Sequence, residues 1–290
     1  MENSVIVFGS KGQLGQQLTQ DLSSSFDIHP FSKDECNITD YENVANKVKE
    51  ICPKVVINAA AFTDVDGSET NVSKANSINH DAVRNLAILS NKHGFTLIHF
   101  STDYIFSKFV HKPIKETEKA DPINVYGLSK YRGEQAIVNS CKNFYIFRIS
   151  WVYSEFGSNF PKTILKLARE KREIKIVNDQ YGSPTPTTLI SSVIRKVLIN
   201  DLKDVSNYGI YNLSPEEVCS WYDIGLEILK FSSKQEKSVL KRIIPVSSEE
   251  FSSVAKRPSY SYLDNTKLKK TFGIKIKNWS YYLNAYLKQA

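Results

Sequence analysis

The first 150 residues alternate short apolar runs with helix-periodic stretches, and this alternation restricts the fold more than any other feature of the chain. Residues 4–8, 28–31, 55–58, 96–100 and 144–149 read as strands. Leu14, Leu18 and Leu22 recur at helical spacing after the first of them. Residues 40–51, 75–93 and 124–139 read as further helices, with Asp40 at a capping position. Continuously apolar strands separated by helices predict a parallel sheet covered on both faces, an α/β fold of the doubly wound Rossmann type.

The turn after the first strand is Gly9-Ser10-Lys11-Gly12-Gln13-Leu14-Gly15. Glycines there let the backbone approach a pyrophosphate, and the helix that follows offers unpaired N–H groups and a positive dipole end. Cofactor contacts are therefore expected from Gly9, Gly12, Gln13, Leu14 and Gly15. Small residues at Ala59, Ala60 and Ala61, after the third strand, let a nucleotide lie against the sheet edge. The end of the second strand reads the 2′ position of the cofactor ribose. Ser32 and Lys33 there suit a 2′-phosphate, whereas Asp34 suits an unsubstituted ribose. NADPH is the expected cofactor, with NADH as the alternative.

Two Tyr-x-x-x-Lys matches occur, Tyr104/Lys108 and Tyr126/Lys130. With 15 tyrosines in the chain the pattern alone decides nothing, so context must. Tyr104 directly follows a strand end, and Lys108 belongs to a loop. Tyr126 opens a helical stretch, so Tyr126 and Lys130 share one helix face. Thr102 closes the fourth strand. A ketone that receives a hydride needs a proton, and a phenol near pKa 10 is a sluggish donor unless a cation stabilises its phenolate. Thr102, Tyr126 and Lys130 are accordingly the expected catalytic group. Thr102 orients the carbonyl, Tyr126 gives the proton, and Lys130 lowers the phenol pKa and holds the cofactor ribose.

Beyond residue 150 the pattern loosens. Helices are expected at 160–169, 189–199, 221–231, 263–272 and 279–287, and strands at 174–177 and 243–246; residues 179–186 are turn-rich. No linker separates the halves. The expected organisation is a dinucleotide-binding domain over 1–150, to which later segments can return, and a smaller, intimately packed substrate-binding domain over 151–290. Composition is that of a globular protein, 41% hydrophobic and 24% charged. No apolar run has membrane-spanning length, and the first residues lack a secretory pattern. Cys36, Cys52, Cys141 and Cys219 form no Cys-x-x-Cys, which predicts reduced thiols and a cytoplasmic protein. The five histidines lack ligand spacing, so no metal is expected. The net charge of +7 is dispersed rather than focused. It argues against nucleic-acid binding and suits an anionic small-molecule substrate.

With these residues placed, the chain resembles an extended short-chain dehydrogenase/reductase, and specifically the dTDP-4-dehydrorhamnose reductase family. The glycine spacing is the form used by that superfamily. The similar stretches include Asn58-Ala59-Ala60-Ala61, the Ser101-Thr102-Asp103 run through Phe106, Asn124 to Gly127, Phe147 to Tyr153, Asn159-Phe160, Asp179 to Thr185 and Arg257-Pro258. The resemblance implies NAD(P)H-dependent reduction of the C4 ketone of dTDP-4-dehydro-L-rhamnose, on a route to cell-surface polysaccharide. It also implies substrate contacts at Thr102, Asp103, Trp151, Asn159, Gln180 and Arg257. An indole face at Trp151 suits a sugar ring or base, and Arg257 suits a diphosphate. Asn37 stands where many relatives carry an aspartate that meets the adenosine. Gln17 and Thr188 replace glutamates that in some relatives hold a dimer-bridging magnesium ion. Neutral side chains hold that ion poorly, so a monomer or a weak homodimer without bridging metal is expected.

Other readings compete, among them another nucleotide-sugar 4-ketoreductase on the same fold, which would look nearly the same in sequence. A 4,6-dehydratase would want a second acid after Asp103, where this chain has Tyr104. An epimerase would keep its cofactor through dialysis. A non-catalytic nucleotide-binding subunit, such as the beta subunit of methionine adenosyltransferase, would not require the complete Thr102, Tyr126 and Lys130 set.

Overall fold

The computed structural model of the chain describes residues 4–107, 112–201, 204–251 and 253–289. Lys108 lies outside the described residues. The elements that position the site begin with β1 (Ser4–Phe8), α1 (Gln13–Leu22), β2 (Asp27–Phe31), α2 (Tyr41–Ile51), β3 (Val55–Asn58), α3 (Ala82–His93), β4 (Thr96–Thr102), α4 (Val125–Ser140) and β5 (Phe144–Ile149). The second half adds α5 (Phe160–Glu170), β6 (Glu173–Val177), α6 (Thr187–Lys196), β7 (Gly209–Leu213), α7 (Trp221–Ser232), β8 (Arg242–Val246), α8 (Thr266–Phe272) and α9 (Trp279–Leu287).

Six strands form one sheet in the order β7-β5-β4-β3-β1-β2, and every neighbouring pair is parallel. Residues of β1, β3, β4 and β5 bury side chains on both faces, which is why they are apolar without alternation. β2 is the edge and carries Pro30 and His29, as an edge strand can. One face packs against α1 and α6 through Leu14, Leu18, Ile190 and Ile194. The other packs against α2, α3 and α4 through Val44, Val48, Leu86 and Ile137. Leu86 is fully buried, so truncating it to alanine costs about 2–5 kcal/mol. A second layer, α5, α7 and α9 around the parallel pair β6–β8, has its own core of Ile164, Ile174, Ile224, Ile228 and Leu283.

Two expected elements change in the structure, and one strand is new. The single helix over 75–93 is broken: a helical turn at Val72–Asn76 passes into a π-helical segment, Ser77–Asp81, before α3 begins. The widened turn brings Asn79 inward, where it bonds both Phe62 N and Phe62 O and also Ser129 Oγ. The helix over 263–272 starts only at Thr266. Leu263 pairs with Ile114 in an isolated bridge, and the Asp264 carboxylate accepts from Thr266 N. β7 was not expected as a strand; it extends the sheet from the second half of the chain by pairing with β5.

Candidate active site

The strand order reverses between β2 and β3 on either side of β1, and ligands of open α/β sheets bind at such a point. Gly9 leaves β1 at φ +80, and a Cβ added there would meet Ala60 N at 2.6 Å. Gly15 packs as closely, with an added Cβ at 2.1 Å from Gly9 O. The turn therefore presses against both the β3 loop and α1, and only glycine fits. Gly12 caps α1 without a side-chain hydrogen bond, so the N–H groups of the first helical turn face outward unpaired. A pocket opens there. Its lining includes Gly9, Gly12, Lys33, Asn37 and the Ala59, Ala60 and Ala61 run, over an apolar floor of Phe8, Ile38 and Ile78.

Three expected contacts are placed differently. Ser32 is buried beneath the pocket and does not line it; its N–H donates to Glu35 Oε2. Gln13 turns away from the pocket and accepts from Asn159 Nδ2 at 3.1 Å. Leu14 is buried in the core against the sheet. Asp34, the residue that would suit an unsubstituted ribose, pairs instead with Lys11 at 3.0 Å in the open.

At the C-terminal end of β4, Thr102 and Asp103 are buried, and Thr102 Oγ1 donates to Asp103 Oδ1 at 3.1 Å. Burial pushes the Asp103 carboxyl up to about 6, against hydrogen bonds from Ser261 and Thr102. α4 is anchored at its start by three bonds. Asn124 Oδ1 accepts from Gly127 N, Glu69 Oε1 accepts from Val125 N, and Asn124 Nδ2 donates to Lys256 O. Tyr126, in that first turn, is half-buried. Its phenol is pushed up to about 12 by desolvation and drawn back by a hydrogen bond with Thr102. Tyr104, rejected as a catalytic tyrosine, packs edge-on against Tyr126 with ring centroids 5.6 Å apart.

Lys130 is buried one turn further along α4. Its Nζ donates to Phe100 O at 2.6 Å and lies 3.4 Å from His99 Nε2. Desolvation lowers the amine to about 8, against the opposing charge of Glu134. The expected depression of the Tyr126 pKa by Lys130 is therefore absent. The amine is turned into the β4 backbone, and burial governs the phenol instead.

The second half contributes a stacked aromatic pair. Trp151 holds the left-handed backbone region at φ 47, which non-glycine residues seldom adopt. Its indole stacks on Trp221, with centroids 3.9 Å apart at 12°. Gln180 accepts from Trp221 Nε1 and donates to Ser248 Oγ, so it holds the second indole. Asn159 is committed to caps. Its amide donates to Gln13 Oε1 and Ser154 O, and its oxygen accepts from Lys162 N. Arg257 is not free: it grips Asp66 with its two terminal nitrogens, Nη2 and Nη1, at 2.9 and 3.3 Å. Sequence reading missed His99, Asp66 and Trp221. A histidine inside an otherwise apolar strand was the one available signal for the first. Among the described residues, no group of three His, Cys, Asp or Glu is placed to hold a metal ion. No helix among them is long and apolar enough to cross a membrane.

The glycine cradle at the switch point, beside a Thr–Tyr–Lys group at the end of β4, defines an extended short-chain dehydrogenase/reductase. The chain belongs to the dTDP-4-dehydrorhamnose reductase family: the model of the RmlD substrate binding domain matches residues 3–290. It is 34% identical to the dTDP-4-dehydrorhamnose reductase of Escherichia coli (strain K12), over 95% of this chain and 94% of that protein. It is 35% identical to the spore coat polysaccharide biosynthesis protein SpsK of Bacillus subtilis (strain 168), over 98% of this chain and 97% of that one. The fold superposes on the crystal structure of dTDP-4-dehydrorhamnose reductase (rfbD) from Bacillus anthracis str. Ames in complex with NADP. There the TM-score is 0.93, with 35% identity and full coverage of both chains.

Proposed function

We propose that the protein reduces the C4 ketone of dTDP-4-dehydro-L-rhamnose to give dTDP-L-rhamnose, with NADPH as its preferred reductant and NADH as the alternative. The observation that carries the reading is the approach of Tyr126 to Thr102 and Asp103 at the open end of β4, next to the glycine cradle. The names of the 33–35% identical relatives support the sugar nucleotide.

The cradle fits a dinucleotide. Unpaired N–H groups at the start of α1 suit the pyrophosphate. Lys33 and Asn37 line the end where the adenosine ribose belongs. When bound, NADPH supplies the hydride. Tyr126 gives its proton to the C4 oxygen as the carbonyl electron pair moves onto that oxygen, and Thr102 holds the same oxygen by a hydrogen bond. A phenol held near 12 stays protonated until the oxygen becomes basic enough to take the proton, as reduction requires. Lys130 holds the cofactor ribose, Asp103 accepts from sugar hydroxyls, and Trp151 walls the sugar. Arg257 meets the diphosphate by exchanging Asp66 for it. Gln180 and Asn159 act by holding Trp221 and the start of α5. Gln17 is buried and bonded to Asp21 and Thr187, which supports the reading of a monomer or a weak homodimer without a bridging metal.

The test is turnover of dTDP-4-dehydro-L-rhamnose with each cofactor, read as loss of reduced-nicotinamide absorbance with the product identified by NMR. Formation of dTDP-L-rhamnose supports the reading. No consumption with either cofactor overturns it, as does a cofactor that survives extensive dialysis and cycles without net oxidation.

A further inference from the structure

Two buried polar residues near the cradle, Asn58 and His99, are not used by the catalytic reading and lead to Lys130. Asn58 ends β3 and is the register partner of His99 in β4. Both are buried. Asn58 Oδ1 accepts from Ala60 N at 3.1 Å. That bond fixes the orientation of the amide, so the group facing His99 Nδ1 at 3.2 Å is Nδ2, a donor. His99 Nδ1 must then be the acceptor. A neutral imidazole with an acceptor Nδ1 carries its hydrogen on Nε2. Nε2 points at Lys130 Nζ, 3.4 Å away. An N–H and an ammonium are both donors and share no hydrogen bond, whereas an uncharged amine has a lone pair to accept one.

We propose that His99, fixed by Asn58 in its Nε2–H form, is a positioning residue for Lys130 that favours the uncharged amine over the ammonium. The inference rests on the reductase reading for its consequence, since this lysine lies one helical turn from the proposed proton donor. The other charged groups around Lys130 are few. On its own helix Glu134 favours the ammonium, and Tyr126 lies one turn before it. From β5, Arg148 neutralises Glu134 through a buried ion pair. His99 is the group that β4 contributes, and it is buried and held neutral. The lowered Lys130 pKa agrees with this arrangement. Because Ala60 lines the cradle, these contacts also tie the cofactor loop to the amine.

The test needs no substrate, so it stands apart from the turnover assay. In the full-length protein labelled with nitrogen-15 histidine, His99 should show a pyridine-like Nδ1 and a pyrrole-like Nε2; the reverse pattern overturns the proposal. Titration of carbon-13 labelled lysines, with Lys130 assigned by its loss in Lys130→Arg, reads the amine directly. Asn58→Ala frees His99 to present a lone pair at Nε2, and His99→Gln can turn its amide oxygen to the amine. Each should raise the proton affinity of Lys130 at least tenfold, about one pKa unit. An unchanged or lowered Lys130 titration in either folded variant overturns the proposal, and a general packing role would not move it upward in both.

Discussion

Glu134 and Arg148 form a two-pronged ion pair in the interior, with Arg148 Nε and Nη2 donating at 3.0 and 2.8 Å to the two carboxylate oxygens. The side chains are 0% and 5% exposed respectively. The pair fastens α4, which carries Tyr126 and Lys130, to β5. Arg148 Nη1 also reaches Glu116 O, and Glu116 accepts from Asn212 N of β7. Glu134 and Glu116, joined through Arg148, thus tie α4 to two strands. Removing one partner leaves a buried charge uncompensated, so Glu134→Ala should cost about 3–5 kcal/mol in denaturant unfolding. Because Glu134 also favours the Lys130 ammonium, Glu134→Gln should lower the proton affinity of Lys130, read by titration of carbon-13 labelled lysines. An unfolding midpoint equal to wild type would refute the structural role.

Tyr126→Phe removes the proposed proton donor and leaves the ring packing against Tyr104 in place. Turnover of the 4-keto sugar nucleotide should drop by about 10²-fold or more, the effect expected of a lost general acid. Affinity for NADPH, followed by fluorescence titration, should stay near wild type. Comparable turnover in the variant would remove Tyr126 from the chemistry.

Asp103 gives a pH signature with a definite sign. Its carboxyl binds a proton more tightly folded, near 6, than its ordinary value of 3.8. The stability from that proton is fully present below about 4 and is lost as the pH rises through about 6. Above that range the buried carboxylate is a cost of at most roughly 3 kcal/mol. Asp103→Asn should therefore be the more stable protein at pH 7.5, by roughly 1–3 kcal/mol, with the gap closing at about pH 4. It should also bind sugar nucleotide more weakly. Chemical unfolding of both proteins at the two pH values checks this; a gap that is constant or widens on acidification contradicts the assignment.

Much of the sheet was legible because burial on both faces leaves a plain mark. The edges of β3 and β5, at Val55, Asn58, Phe144 and Ile149, coincide with the apolar runs in the sequence. β7 was not legible, since Gly209-Ile210-Tyr211-Asn212-Leu213 is short and joins β5 only through distant pairing. The π-helical turn at Ser77–Asp81 escaped notice for a related reason. It exists because Asn79 bonds Phe62 and Ser129, partners that periodicity cannot reveal. At the site, residue types and helix register brought Tyr126 and Lys130 to one helix. What the spacing did not show is where Lys130 points, because Phe100 O and His99 belong to another strand. Asn159 and Gln180 read as polar groups in turn-rich segments, a description that fits a cap as well as a ligand contact.

Arg257 offers the sharpest distinction between a structural and a binding role. Its guanidinium bridges the C-terminal segment to Asp66 in the short helix Val65–Thr70 that follows β3, and Ala255 N donates to the same carboxylate. The pair is part-exposed, which limits its worth to stability to about 1 kcal/mol or less. The guanidinium also draws on Tyr104, which packs against Tyr126, so it lies within reach of the site. If a diphosphate takes the place of Asp66, the two substitutions act in opposite directions. Asp66→Ala should release the guanidinium and tighten dTDP binding several-fold, while Arg257→Ala should weaken it by about tenfold, the loss of roughly one charge-assisted contact. Calorimetric titration of dTDP into each variant measures both. Equal affinities across wild type, Asp66→Ala and Arg257→Ala would make the ion pair a strut between the short helix Val65–Thr70 and the segment around Arg257, and would leave the diphosphate to other residues.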